Sequence, residues 1–192
     1  LIVIVLRKNF TFNDYDSILV TDMAKKLEKI SNYLSLVLRH KPEQIGIVLD
    51  KNGWTNIHQL ILQSNTNGFE LDEATIFEVV ATSDKQRFAI SEDGTNIRAN
   101  QGHSIAVDLE HASLIPPDFL LHGTAARFLD SILINGLSKM SRQHVHLTEN
   151  SDSAMAVGTR YGKPVLLRID SNSMSKKGYT FYKSENGVWL VS

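Results

Sequence analysis

Apolar side chains recur at helical spacing over residues 23–40, where Leu27, Ile30, Leu34 and Val37 fall on one stripe. Thr21 or Asp22 suits the start of that helix. Lys41-Pro42 ends it, because the residue before a proline is pushed out of the helical region. Ile45 to Leu49 then reads as a short strand closed by the turn Asp50-Lys51-Asn52-Gly53. A helix over 56–64 follows, capped by Thr55, with Ile57, Leu60 and Ile61 turned inward. After a polar loop from Ser64 to Gly68, Asp72 caps a second helix that carries Ile76, Val79 and Val80. Phe88-Ala89-Ile90 and Ile97-Arg98-Ala99 read as paired strands, and Asp93-Gly94 between them is a hairpin turn signal. Helix, short strand, two helices and a β-hairpin is the order of a winged helix. In this reading Trp54 is a core residue and His58 lies on a helix surface.

The pattern changes around residues 104–118. Ser104 to Asp108 has the character of a strand, and Ile115-Pro116-Pro117-Asp118 cannot continue a helix. We place a boundary near residue 112. Beyond it, Phe119-Leu120-Leu121 runs into His122-Gly123-Thr124 and then a helix over 125–135, with Phe128, Leu129, Ile132 and Leu133 on its buried side and Gly136 ending it. His144 to Thr148 alternates like a strand, Ser151 or Asp152 caps a short helix through Gly158, and Pro164 to Ile169 is a strand. Tyr179 to Tyr182 and Val188 to Val191 are further strands joined through Asn186-Gly187. The expected fold is α+β: an appendage over 1–22 with one added strand, a winged-helix unit over 23–112, and a half-barrel unit over 113–192.

Composition narrows the partners. The 192 residues carry a formal charge of -1, with 42% apolar and 21% charged side chains, as in an ordinary soluble domain. The charge divides into about -3 over residues 1–108 and about +2 over 109–192, so any nucleic-acid contact must come from a local cluster. The absence of cysteine excludes disulfides, thiolate metal sites and a cysteine nucleophile. Leu1 to Leu6 is too short to span a bilayer, and its charges lie on the wrong side for a secretory signal. A cytoplasmic protein without membrane contact or an obligate protein partner is expected. The chain begins without Met, which suggests a trimmed start.

The candidate chemistry lies where arginine adjoins histidine. Arg39-His40 and Arg98 through His103 each offer a permanently charged guanidinium, suited to phosphate oxygens, beside an imidazole that can move a proton near neutral pH. Taken singly, Arg39 and His40 are also what a helix C-terminus favours. Arg142, His144 and His146 form a third cluster. At His122-Gly123-Thr124, read as a strand-to-helix junction, the glycine admits a ligand to the backbone and the helix start favours negative charge. No dinucleotide, P-loop or zinc-protease signature occurs. His144-x-His146 lacks a third ligand nearby, so no metal is expected.

Five segments in order resemble the RNA 2′-phosphotransferase family: Leu34-Ser35-Leu36-Val37-Leu38-Arg39-His40, Ile97 through Ser104, Leu121-His122-Gly123-Thr124, Val145-His146-Leu147-Thr148, and Asn186-Gly187-Val188-Trp189-Leu190. The resemblance covers residues 24–191. It implies a winged-helix RNA unit paired with an ADP-ribosyltransferase-like NAD unit, and a further C-terminal edge beyond Val191. It also implies an NAD-dependent reaction in two steps. First, a tRNA splice-junction 2′-phosphate attacks the nicotinamide ribose and nicotinamide leaves. Then the ribose 2″-hydroxyl attacks the linking phosphate, giving 2′-hydroxyl RNA and ADP-ribose 1″,2″-cyclic phosphate. By this resemblance Arg39, His40, Arg98 and Arg142 are catalytic and grip the phosphate. His122, Gly123, Thr124 and His146 bind NAD. Proton transfer in the second step falls to His40, since arginine is a poor acid or base. Two other readings use the same residues: an ADP-ribosyltransferase acting on other nucleic-acid phosphates, and a winged-helix binding module whose NAD unit is degenerate.

Overall fold

The computed structural model describes residues 12–83 and 85–192, with side chains from residue 21 onward. Its first element, α1, runs over Phe12–Arg39 and is 28 residues long. It therefore begins well before Thr21 and Asp22, which lie inside it and not at its cap. The strand expected in the appendage is not found over residues 12–22, which are helical; residues 1–11 lie outside the described residues. The apolar stripe does what its spacing predicts. Ile30, Leu34, Val37 and Leu38 are buried, with Leu27 packed at their edge. The helix closes where the backbone amides of His40 and Lys41 both donate to the Leu36 carbonyl at 3.0 Å, just ahead of Pro42.

Pro42–Gln44 is a short 3-10 turn, and no strand forms over Ile45–Leu49. Gly46 in a left-handed conformation (φ 73°) breaks the extended run, so Ile45 and Ile47 reach the core from a loop. The two-residue strand β1 (Thr55–Asn56) leads into α2 (Ile57–Thr66), whose cap is Asn56 and not Thr55. This helix absorbs most of the expected loop after Ser64. Asp72 caps α3 (Glu73–Ala81) by accepting from the Thr75 amide at 2.7 Å, as read from the sequence. Strands β2 (Phe88–Ile90) and β3 (Asn96–Ala99) form the expected hairpin, and β3 pairs on its other side with β1. Their inward residues join α1, α2 and α3 in one core that includes Leu60, Ile76, Phe88 and Ile97. Burying each such side chain contributes roughly 1.5–3 kcal/mol, enough to override the weak local preferences of two- to four-residue strands.

Residues 100–118 form no strand; Ser104–Asp108 is irregular, contrary to expectation. The segment instead ties the halves together. The Asp108 amide donates to Lys51 O at 2.8 Å, the Leu114 amide to Phe181 O at 2.9 Å, and Gln143 Nε2 to both Ile105 O and Val107 O at 3.0 Å.

In the second half β4 (Phe119–Ala125) pairs antiparallel with β6 (Pro164–Asp170), and β8 (Trp189–Val191) lies between β5 (Val145–Leu147) and β7 (Phe181–Lys183). The Leu121–Thr148 bridge, with bonds of 2.8 and 2.9 Å, joins the two sheets. Leu120, Leu147, Phe181, Trp189 and Val191 fill the core beneath them. Helices α5 (Ser151–Thr159), capped by Asn150 and not by Ser151 or Asp152, and α6 (Ser171–Lys176) cover its margins. The sequence reading missed α6.

Helix α4 (Leu129–Asn135) ends at Gly136 as expected, but it is shorter than predicted and carries no buried residue. Leu133 is 74% and Ile134 82% exposed, and Phe128 is exposed too. Of the stripe expected to face inward, Leu129 and Ile132 are only half-buried, Leu133 is exposed, and Phe128 meets the Tyr161 ring edge-on at 6.3 Å. No helix among them is long and apolar enough to cross a membrane.

Candidate active site

Arg39 is the last residue of α1, and His40 is the first beyond it. The Arg39 Nη2 donates to Arg87 O at 3.2 Å, and the guanidinium sits 5.7 Å from the Phe88 ring centre, so its direction is fixed. Burial, then the charges of Arg87 and Arg142, lower its pKa to about 10; it remains a cation at neutral pH. His40 is held from the far side. Its Nδ1 is 2.9 Å from Ser104 Oγ, and the Ser104 amide donates to Arg39 O at 3.0 Å. Burial and the neighbouring Arg39 and Arg142 push the His40 pKa below the ordinary histidine value, favouring the neutral ring.

His146 stands between two arginines. Arg142 Nη1 lies 3.4 Å from His146 Nδ1. Arginine can only donate, so Nδ1 accepts and the ring proton sits on the buried Nε2, which has no partner among the described residues. Burial, then Arg142 and His144, lower the His146 pKa to about 3. A Cβ built on Gly102 would lie 3.7 Å from Arg39 Nη1 and 4.0 Å from His146 Nε2. An arginine donor and a neutral imidazole N–H therefore border one point beside the Gly102 backbone. Such a set of donors favours an anion.

Arg98 reaches the site from β3. Its guanidinium stacks 4.6 Å from the Trp54 ring centre and donates from Nη2 to Glu185 Oε1 at 2.8 Å. His103, 2% exposed, lies in the field of Arg39, His40 and Arg98; burial first and those charges second lower its pKa to about 4. Beside it, Gly102, His111, His144, His146 and Tyr182 line a cavity of about 140 Å³ between the two halves.

The segment His122-Gly123-Thr124 lies inside β4, not at a strand-to-helix junction as the sequence suggested. No helix N-terminus follows directly, because a 3-10 turn over Ala126–Phe128 separates β4 from α4. His122 is nonetheless tied to the arginine cluster. Its Nδ1 lies 3.0 Å from His146 O; a carbonyl only accepts, so Nδ1 carries the proton and donates. Gly123 is demanded by packing, since any Cβ there would overlap the Ala154 carbonyl on α5. Thr124 is buried, and its carbonyl occupies the space that a Cβ on Gly158 would need.

The structure thus joins Arg39, His40, Arg142, His146 and His122 through direct or shared neighbours, with Arg98 anchored alongside. It keeps His103, a candidate imidazole of the sequence reading, and adds Ser104, Trp54 and Glu185, which that reading did not assign to the site. Of these three only Ser104 lies inside a segment already singled out. Among the described residues no group of three His, Cys, Asp or Glu side chains could hold a metal ion.

Comparison with known proteins gives the family of the chain. The sequence model described as "RNA 2′-phosphotransferase, Tpt1 / KptA family" matches residues 25–192. A protein of Acaryochloris marina is 52% identical over 169 residues, which span 88% of this chain and 93% of that protein. One from Agrobacterium fabrum is 52% identical over 161 residues, covering 84% and 87%, and one from Flavobacterium johnsoniae is 50% identical over 164, covering 85% and 90%. Each of the three bears the name "Probable RNA 2′-phosphotransferase".

Proposed function

The chain belongs to the RNA 2′-phosphotransferase family, and from that premise we propose that it removes a 2′-phosphate from RNA, such as that at a tRNA splice junction, by transferring it to ADP-ribose drawn from NAD. The observation that carries this reading is the placement of Arg39 and His146 Nε2–H about one point beside Gly102, with Arg142 bonded to that same imidazole. Two donors border the point, and a second cation, Arg142, is bonded to the far nitrogen of the same imidazole. A phosphate dianion is already a nucleophile and needs no base; it needs cations that hold it in line. The half containing α1 to β3 is the RNA unit in this reading, a winged helix, and the half containing β4 to β8 is the NAD unit.

The residues present suit NAD as acceptor. His122 is fixed by its bond to the His146 carbonyl, which leaves Nε2 without a proton and able to accept from a ribose hydroxyl. The His146 ring, on the residue whose carbonyl His122 bonds, keeps a buried Nε2–H that is an unused donor among the described residues. When bound, NAD supplies an anomeric carbon whose bond to nicotinamide is already weakened by the positive ring. The arginines neutralise the phosphate, and His122 orients the ribose. His40 Nε2 takes a proton from the hydroxyl whose oxygen attacks phosphorus. It returns that proton to the RNA 2′-oxygen as the bond from that oxygen to phosphorus breaks, so none is gained or lost overall.

Nicotinamide release tests the reading. With a 2′-phosphorylated oligonucleotide, release should proceed to the amount of oligonucleotide present; with the unphosphorylated oligonucleotide it should be absent. Release that ignores the 2′-phosphate would instead mark an enzyme with another acceptor.

A further inference from the structure

We propose that Ser104 is the positioning residue for His40: its hydroxyl accepts from His40 Nδ1–H and so leaves Nε2 as the nitrogen that handles the proton. The inference rests on the function proposed above and goes beyond it by fixing which atom of His40 acts.

Two bonds carry it, and they are independent. The Ser104 amide donates to the Arg39 carbonyl at 3.0 Å, which clamps the loop after β3 onto the end of α1. From that clamped backbone the Ser104 Oγ reaches His40 Nδ1 at 2.9 Å. Among the described residues Ser104 is the one side-chain hydrogen-bond partner of His40, so without it the ring would lose what fixes its two side-chain torsions. A neutral imidazole carries one N–H, and its position is decided by the partner of the other nitrogen. Ser104 is exposed, so its own proton can go to water while a lone pair faces the ring. Arg39 and Arg142 nearby make a second ring proton unfavourable. The outcome is an imidazole whose Nδ1–H is spent on Ser104 and whose Nε2 lone pair is free to accept the proton of an attacking hydroxyl. A serine then does here what a carboxylate does for the histidine of a hydrolase triad, without adding a negative charge that would repel phosphate.

The first experiment needs no substrate. In the full chain with ¹⁵N-labelled histidine, above the ordinary histidine titration range, the His40 ring is assigned by its loss in His40→Asn. Its spectrum should show protonated Nδ1 and bare Nε2. Ser104→Ala should shift the ring toward the Nε2–H form, and Ser104→Thr, which keeps the hydroxyl, should restore the parent pattern. An Nε2–H ring in the parent, or one unmoved by Ser104→Ala, would overturn the proposal whatever the enzyme's activity proves to be. The second experiment compares nicotinamide release with formation of 2′-hydroxyl RNA from a 2′-phosphorylated oligonucleotide and NAD. Ser104→Ala should slow the latter at least about tenfold relative to the former, in line with a weakened general base, and Ser104→Thr should recover most of it. Equal slowing of both, or no slowing, would also overturn it.

Discussion

Glu185 Oε1 lies 2.8 Å from Arg98 Nη2, so a carboxylate from the turn between β7 and β8 holds an arginine of β3 in the other half of the chain. The Arg98 side chain is 13% exposed and stacked on Trp54, whereas Glu185 is 54% exposed. The arginine is therefore positioned by Trp54, and the carboxylate is a solvent-screened partner that a phosphate can displace.

This arrangement predicts opposite effects for its two partners. Glu185→Gln should tighten binding of a 2′-phosphorylated oligonucleotide by about two- to fivefold, because a competing anion is gone. Its melting temperature should change little, since a half-exposed pair contributes less than about 1 kcal/mol. Trp54→Leu should weaken the same binding, because the guanidinium loses its platform. Fluorescence anisotropy and thermal melting check both.

Under the proposed function Arg142 should separate catalysis from stability. It is exposed, and among the described residues its side chain bonds only His146. Arg142→Ala should leave unfolding free energy within about 0.5 kcal/mol while turnover falls by roughly 10²-fold or more. Arg39→Lys should also lose activity, since a single ammonium lacks the spread fork that bonds Arg87 O from one nitrogen and leaves another for phosphate. Steady-state rates and denaturant titrations provide the measurements.

Gly123 is a packing requirement. With the Ala154 carbonyl occupying the space of any Cβ, Gly123→Ala must push β4 from α5, at a cost of about 1–3 kcal/mol or more. A melting temperature equal to the parent's would show that the two elements are not seated as described.

The buried histidines predict a pH dependence. His103 has a folded pKa of about 4 and His146 of about 3, both below the ordinary value of about 6.5. Between those values the unfolded chain binds protons that the folded chain does not. Stability is therefore complete above about pH 6.5 and is lost as pH falls toward 4 and 3. His103→Leu should flatten that decline in a series of melting curves, and an unchanged decline would place the effect elsewhere.

Local signals in the sequence were the ones that carried through. Asp72 caps α3 and Asp93-Gly94 turns the hairpin because each acts within a few residues. Arg39 and His40 were legible because they are adjacent and followed by Pro42. The failures had two sources, local competition for the backbone and long-range packing. The Ile45–Leu49 strand lost to Gly46 and the 3-10 turn at Pro42. The α4 stripe looked like a buried face, yet Leu133 is exposed and the helix carries no buried residue. In the site, Glu185 reaches Arg98 across 87 positions and Ser104 reaches His40 across 64, separations that no periodicity encodes. Such partners are found only when the chain is folded.

The most direct test of the central claim follows the phosphate itself. An oligonucleotide labelled with ³²P in its single 2′-phosphate is incubated with the full chain, with and without NAD. The account predicts that the label leaves the RNA only with NAD and appears on ADP-ribose, with the RNA recovered carrying a 2′-hydroxyl. Label released as free phosphate, or at equal rate without NAD, would contradict it.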